Sequence, residues 1–216
     1  MAILYPQAGL QPSKLELLAP WLPTRAWYRG PAAPRLTRVA GFRFDDPEGE
    51  VGVETLLVRA GDAGPVYQVP LTYRGAPLGG GDAWLVGTSE HSVLGPRWIY
   101  DACGDPVYAG VLATAIITGA GGAEEVEHVD GQQQRRREPS MTVRGSGTPD
   151  TEAPPFAAIT HVEDGDPTLV LTDSVGLAVH RVLDPAAGGH EPGPAVLTGT
   201  WGGQSGPVLL AEVRNR

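Results

Sequence analysis

Apolar positions along the chain change their spacing several times, and each change predicts an element. Leu15, Leu17, Leu18 and Trp21 form the apolar side of a short helix, with Ser13 as its N-cap and Glu16 at the capping-box position. Pro20 and Pro23 are expected to stop it. Residues 36–44 alternate loosely and run into the turn cluster Asp45-Asp46-Pro47-Glu48-Gly49. The runs at 51–60 and 66–74 flank Gly61-Asp62-Ala63-Gly64, which predicts an antiparallel hairpin, and residues 83–94 offer another strand. Asp105 followed by Pro106 starts a second helix over 106–117, with Val107, Leu112, Ile116 and Ile117 near helical spacing.

The pattern then breaks. Residues 119–155 are rich in Gly, Glu, Gln, Arg, Pro, Ser and Thr, and read as a long connection in which only Met141-Thr142-Val143 suggests a strand. Its basic run, Arg135-Arg136-Arg137, reads as a solvated loop. Short apolar runs return at 156–162, 168–172, 176–183, 195–201 and 207–213, with Asp164-Gly165 at a hairpin position between the first two. They predict a small antiparallel β unit. No fixed-period repeat is present.

Composition narrows the function classes. The 216 residues fit one domain or two small ones, and 30 glycines with 21 prolines favour many turns and short strands. A net charge of -9 argues against sequence-independent nucleic-acid binding, which needs a basic surface. Cys103 is the single cysteine, so no internal disulfide or thiolate metal cage is expected. The absence of a signal-like start and of an eighteen-residue apolar run predicts a cytoplasmic protein with no membrane partner.

Residue scarcity bears on chemistry. Lys14 is the only lysine and Asn215 the only asparagine, and neither stands where a P-loop or protein-kinase site needs it, so no nucleotide cofactor is expected. Gly145-Ser146-Gly147 and Gly202-Gly203-Gln204-Ser205-Gly206 read as turns, and Pro207 breaks the nucleophile-elbow pattern around Ser205. Histidines stand at 91, 128, 161, 180 and 190; His161 with Glu163, Asp164 and Asp166 is the best metal candidate, although an exposed hairpin is the favoured reading and no metal is expected. Asp45, Asp46, Glu48 and Glu50 read as a solvated loop rather than a glycosidase pair. The binding candidates are Trp21, Arg25, Trp27, Tyr28, Arg29, Trp98 and Tyr100, with Arg97 beside the last two: aromatic faces with arginines can stack sugars or contact a partner, against the plainer expectation that they fill the core.

Three stretches in order carry a family resemblance. W-L-P-T-R-A-W-Y-R-G (21–30) resembles the W-L-P-x-Q-R-W-F-x-G-K signature opening the N-terminal cap domain of bacterial maltokinases; Y-Q-V-P-L-T-Y-R (67–74) fits its second hairpin arm, and W-I-Y-D-A-C-G-D-P (98–106) its closing L-Y-D-A-x-x-D-P motif. The resemblance implies a helix packed on a curved antiparallel sheet similar to cystatins over 1–118; with the flexible connection over 119–155 and the antiparallel β unit over 156–216 read from the residue pattern, the expected fold is α+β. The resemblance also makes the tryptophans packing anchors. Maltokinases phosphorylate maltose with ATP in a route to α-glucan from trehalose.

Departures from that family shape the functional expectation. Gly30-Pro31 replaces the signature's glycine-lysine, no catalytic lobe is recognisable, and residues 168–183 resemble an N-lobe strand in which Ala178, Val179 or His180 stands where the ATP-contacting lysine belongs. Residues 141–213 therefore resemble a remnant of the N-lobe sheet, and small stand-alone actinobacterial cap-like proteins are the nearer likeness. The leading expectation is a non-catalytic protein that binds or modulates a protein partner in α-glucan, trehalose or maltose metabolism. The alternatives are a carbohydrate-binding module using Trp27, Tyr28, Trp98 or Tyr100, and a residual sugar kinase that grips phosphate through arginine.

Overall fold

In a computed structural model of the chain, residues 2–4, 9–129, 133–153, 158–184 and 195–214 are described. The expected strand at 156–162 therefore loses its first two residues to the part not described, as do His190 and Asn215.

The N-terminal half contains β1 (Ala2–Leu4), β2 (Leu10–Gln11), α1 (Lys14–Trp21), β3 (Leu36–Phe44), β4 (Gly52–Ala60), β5 (Val66–Arg74), β6 (Leu85–His91), β7 (Gly95–Asp101) and α2 (Pro106–Thr118). Local chemistry sets the helix starts. Ser13 and Glu16 form the reciprocal capping box of α1, and the Asp105 carboxylate accepts from the Val107 amide at the head of α2. Pro20 does not stop α1 as expected; the helix runs through it to Trp21 and tightens into a 3₁₀ turn over Leu22–Thr24, where Pro23 sits. A proline removes one donor, here the one that an i to i−4 bond would aim at the Glu16 carbonyl.

β2, β6, β7, β5, β4 and β3 lie side by side in that order in a curved antiparallel sheet. β4 and β5 form the expected hairpin, but their burial is nearly continuous rather than alternating. Both faces are covered. Leu56, Val58, Tyr67, Val69, Leu71 and Ile99 pack on one side with Leu18, Trp21, Leu22 and Trp27, while Val53, Leu57 and Val66 pack on the other with Ala109, Leu112 and Ile116 of α2. A strand buried on both faces reads as an unbroken apolar run.

Beyond α2 come β8 (Glu125–Val129), β9 (Gln133–Arg136), β10 (Met141–Gly145), β11 (Ile159–Glu163), β12 (Thr168–Thr172), β13 (Gly176–Val179), β14 (Val182–Leu183), β15 (Val196–Trp201) and β16 (Val208–Arg214). The stretch expected to be a connection with one strand holds three, and the arginine run expected to be a loop puts Arg135 and Arg136 in β9. β8 pairs parallel to β1 and antiparallel to β9 through backbone ladders. β7 also lay hidden in sequence, since Gly95-Pro96-Arg97 masks any alternation.

The second sheet runs β10-β15-β16-β13-β12-β11, antiparallel throughout. Val143, Val170, Leu177, Leu197 and Leu210 of this sheet share one buried cluster with α2 and with Phe42, Val53 and Leu57 of the first, so the two sheets close on a common core. The run expected as one strand over 176–183 is split: β13 stays in the second sheet, and β14 crosses to pair with β5.

The glycines of Gly145-Ser146-Gly147 have a packing role. The amides of Gly147 and Thr148 donate to the carbonyls of Ile116 and Ile117 at 2.9 and 3.2 Å, closing the open end of α2. A Cβ on Gly147 would stand 1.8 Å from the Ile117 carbonyl oxygen, whereas one on Gly202 would meet nothing within 4 Å. Gly147→Ala should therefore cost about 1–3 kcal/mol and lower the melting temperature by several degrees, with Gly202→Ala near neutral, as read by calorimetry.

Candidate functional site

The aromatic signature lies on the α1 face of the first sheet. Trp21 and Trp27 meet edge to face at 6.1 Å between ring centres, and Tyr67 of β5 extends the cluster toward Trp27 at 6.2 Å and Tyr28 at 5.0 Å. Trp21 and Trp27 are buried, Tyr28 and Arg25 partly so, and Arg29 is exposed. The second pair is not brought to them. Ile99 belongs to the α1-side cluster, so Trp98 and Tyr100 point to the opposite face of β7. Tyr100 is buried with its hydroxyl accepting from the Leu78 amide at 2.9 Å, and Trp98 is half-buried. The seven candidates thus form no common open platform.

Their polar atoms reach across the molecule. The Trp27 indole N–H donates to Asp164 Oδ1 at 2.8 Å, and Arg25 approaches Oδ2 of the same carboxylate at 3.3 Å. Asp164 sits in the turn between β11 and β12. Asp166, in the same turn, accepts from the Arg181 backbone amide at 2.8 Å. Two of the four metal candidates, Asp164 and Asp166, thus bind groups of the protein itself, and among the described residues no group of three or more His, Cys, Asp or Glu is arranged to hold a metal ion.

Beneath Trp27 lies Arg181, at the point where the chain leaves the second sheet for the first. Its side chain is completely buried. Nη2 donates to both oxygens of Asp101 at 2.9 and 2.8 Å, Nε donates to Thr168 Oγ1 at 2.7 Å, and the guanidinium carbon lies 5.0 Å from the centre of the Trp27 ring. Nη1 has no hydrogen-bond partner. Burial works against the charge, but the Asp101 carboxylate outweighs it and holds Arg181 protonated. Cys103 is buried next to this pair, and burial pushes its thiol well up, away from nucleophilic use.

The rest of the D-A-C-G-D-P motif is similarly occupied. Asp105 takes a two-pronged contact from Arg74, at 2.7 Å through both Nε and Nη2, and a 2.8 Å bond from Thr72 while capping α2. Gly104 lies against the Trp84 indole, where a Cβ would come within 2.1 Å of the ring. Ala178 and Val179, where the resemblance would place a nucleotide-contacting lysine, are fully buried and apolar, and His180 lies 3.3 Å from Glu212.

Residues 21–105 match the maltokinase N-terminal cap domain. No curated protein matches the chain. The cap match runs from Trp21, through both arms of the hairpin, to Asp105, so it ends on the two motifs whose side chains reach the second sheet and α2. Nothing in the cap's own spacing announced Arg181; the available signal was an arginine inside the apolar run 176–183.

A second buried charge, Glu54 of β4, pairs with Lys14, the only lysine of the sequence. Glu54, near the start of β4, is 2% exposed; it accepts from Lys14 and, at 2.9 Å, from the Tyr73 hydroxyl, with Arg43 at 3.2 Å and Arg38 at 4.0 Å. Burial raises the Glu54 pKa, but Lys14 and Arg43 outweigh it and bring the carboxyl down to about 2. Burial and the neighbouring arginines hold the Lys14 amine below its ordinary value even though Glu54 pulls it up. Because the folded Glu54 pKa is depressed, its contribution is complete above the unfolded value near 4.5 and disappears as pH falls toward 2. Urea unfolding should lose stability across that window by an amount on the order of 3 kcal/mol from this group. Glu54→Gln should start less stable and show a correspondingly smaller loss from pH 5 to pH 2.

Proposed function

We propose that the protein is a non-catalytic recognition protein of the cap type, acting on a protein partner in α-glucan, trehalose or maltose metabolism. One observation carries the reading. Within and around the matched cap, the side chains best suited to grip a phosphate or a sugar are occupied in holding the molecule together: Trp27 and Arg25 on Asp164, Arg74 on Asp105, Arg181 on Asp101, Lys14 on Glu54. The buried Ala178-Val179 pair and the paired Lys14 support the absence of phosphoryl transfer by the usual apparatus. A cap that has no chemistry of its own is left with its surface as its instrument.

Affinity capture with a tag at either terminus should recover an enzyme that makes or consumes maltose, trehalose or α-glucan, while the purified protein leaves ATP untouched in the presence of maltose or glucosamine. Turnover of ATP into a sugar phosphate, with contaminating activity excluded, would refute the non-catalytic part. Recovery of no such enzyme with either tag would refute the partner. A tryptophan-fluorescence response to maltose or soluble glucan would favour the carbohydrate module instead.

A further inference from the structure

Helix α2 carries no charged residue, and its faces are not equally covered. Tyr108, Ala109, Leu112, Ala113, Ala115 and Ile116 are buried in the common core. Pro106, Val107, Gly110 and Val111 are only partly covered, and Thr114 is exposed. This second face forms the floor of an open groove of about 830 Å³. One wall is the β3–β4 turn, and the other is the segment from Ala120 to Glu124 that follows α2.

The rim is acidic. Asp45, Asp46, Glu48, Glu50 and Glu124 line the groove, and Arg74, the one cation among the described residues of its lining, is bound in two-pronged fashion to Asp105. Asp45, Glu48, Glu50 and Glu124 are exposed. Their backbone is held in place: the Asp46 carboxylate accepts from the amides of Glu48, Glu50 and Val51 at 3.1, 3.0 and 2.8 Å, and Gly49 takes a φ of 76° that closes the turn.

We propose that this groove is the docking site for a basic amphipathic segment of a protein partner, whose apolar side chains cover Val107 and Val111 and whose lysines or arginines meet the carboxylate rim. Charge complementarity chooses this occupant. A bare polycation would leave the apolar floor uncovered, and an acidic segment would bring like charge against the rim. A sugar is poorly served, because among the described residues of the lining Phe44 is the one aromatic and is buried, and Arg74 is the one guanidinium and is already engaged. An amphipathic helix laid in a groove satisfies both features at once. The inference deepens the partner-binding reading and rests on it only for the partner's metabolic setting.

The test uses the full chain and a fluorescent synthetic lysine–leucine amphipathic peptide, read by anisotropy. Binding should weaken about tenfold or more when Asp45→Asn, Glu48→Gln, Glu50→Gln and Glu124→Gln are combined, and should weaken with rising salt. Val111→Ser should weaken it separately, while Asp62→Asn with Glu90→Gln, exposed carboxylates outside the groove, should leave it unchanged. The rim variants alter only exposed side chains, so they remain informative if Val111→Ser unfolds the protein.

Equal binding by the rim variants and the wild type overturns the proposal. So does binding of polylysine as tight as that of the amphipathic peptide, which would reduce the site to charge alone. Displacement of the peptide by glucosamine would overturn it in favour of a small cationic ligand. If affinity capture recovers a glucan-metabolising enzyme equally with wild-type and rim variants, the groove proposal fails and the broader function stands; if the peptide behaves as predicted and no such enzyme is captured, the reverse holds.

Discussion

The structure turns on a guanidinium that has no contact with water. Arg181 stands where the chain steps from one sheet to the other, and Asp101, at the end of β7, is its counter-ion. Two such charges cost several kcal/mol each to bury, and the geometry must repay that with paired hydrogen bonds. Here it does so through Asp101, Thr168 and the Trp27 face together. The pair adds little net stability over a well-packed apolar substitute, but it discriminates strongly against any arrangement in which only one partner is buried. It therefore sets how β13, β14 and the first sheet meet.

This constraint gives the cap's signature residues their meaning. Trp27 covers the guanidinium and at the same time holds the turn between β11 and β12 through Asp164; Asp101 and Asp105, four residues apart, fix Arg181 and the start of α2. Gln68, a buried polar residue in β5, joins the same seam by donating to the carbonyls of His180 and Leu210. The conspicuous chemistry of the sequence is thus internal. What remains outward is the acidic groove over α2, built by a turn and a helix face rather than by the signature.

The parts of the fold legible in sequence were those set by neighbours in the chain. Ser13 with Glu16 and Asp105 with Pro106 announced the two helices, and Gly61-Asp62-Ala63-Gly64 announced the central hairpin, because caps and turns use residues only a few positions apart. β8 and β9 are hard to read because Val126 and Val129 stand among charged and polar residues, β9 is Gln-Gln-Arg-Arg, and β8 pairs with β1, more than a hundred residues away. The site was legible in part: the tryptophans and arginines at 21–29 were marked, but Asp164 lies 137 positions from Trp27 and no spacing rule connects them. Arg181 is not legible in the sequence, because an arginine in an apolar run looks like the solvent side of an alternating strand. Its burial follows only from the crossing of β14 to β5.

A double-mutant cycle on Asp101→Asn and Arg181→Met, followed by urea unfolding, tests this most directly. Each single change leaves the other group buried without its partner, so each should cost about 3–5 kcal/mol, and the double variant should cost no more than either alone. Single effects near zero, or losses that simply add, would mean that the two sheets are held together by something other than this pair.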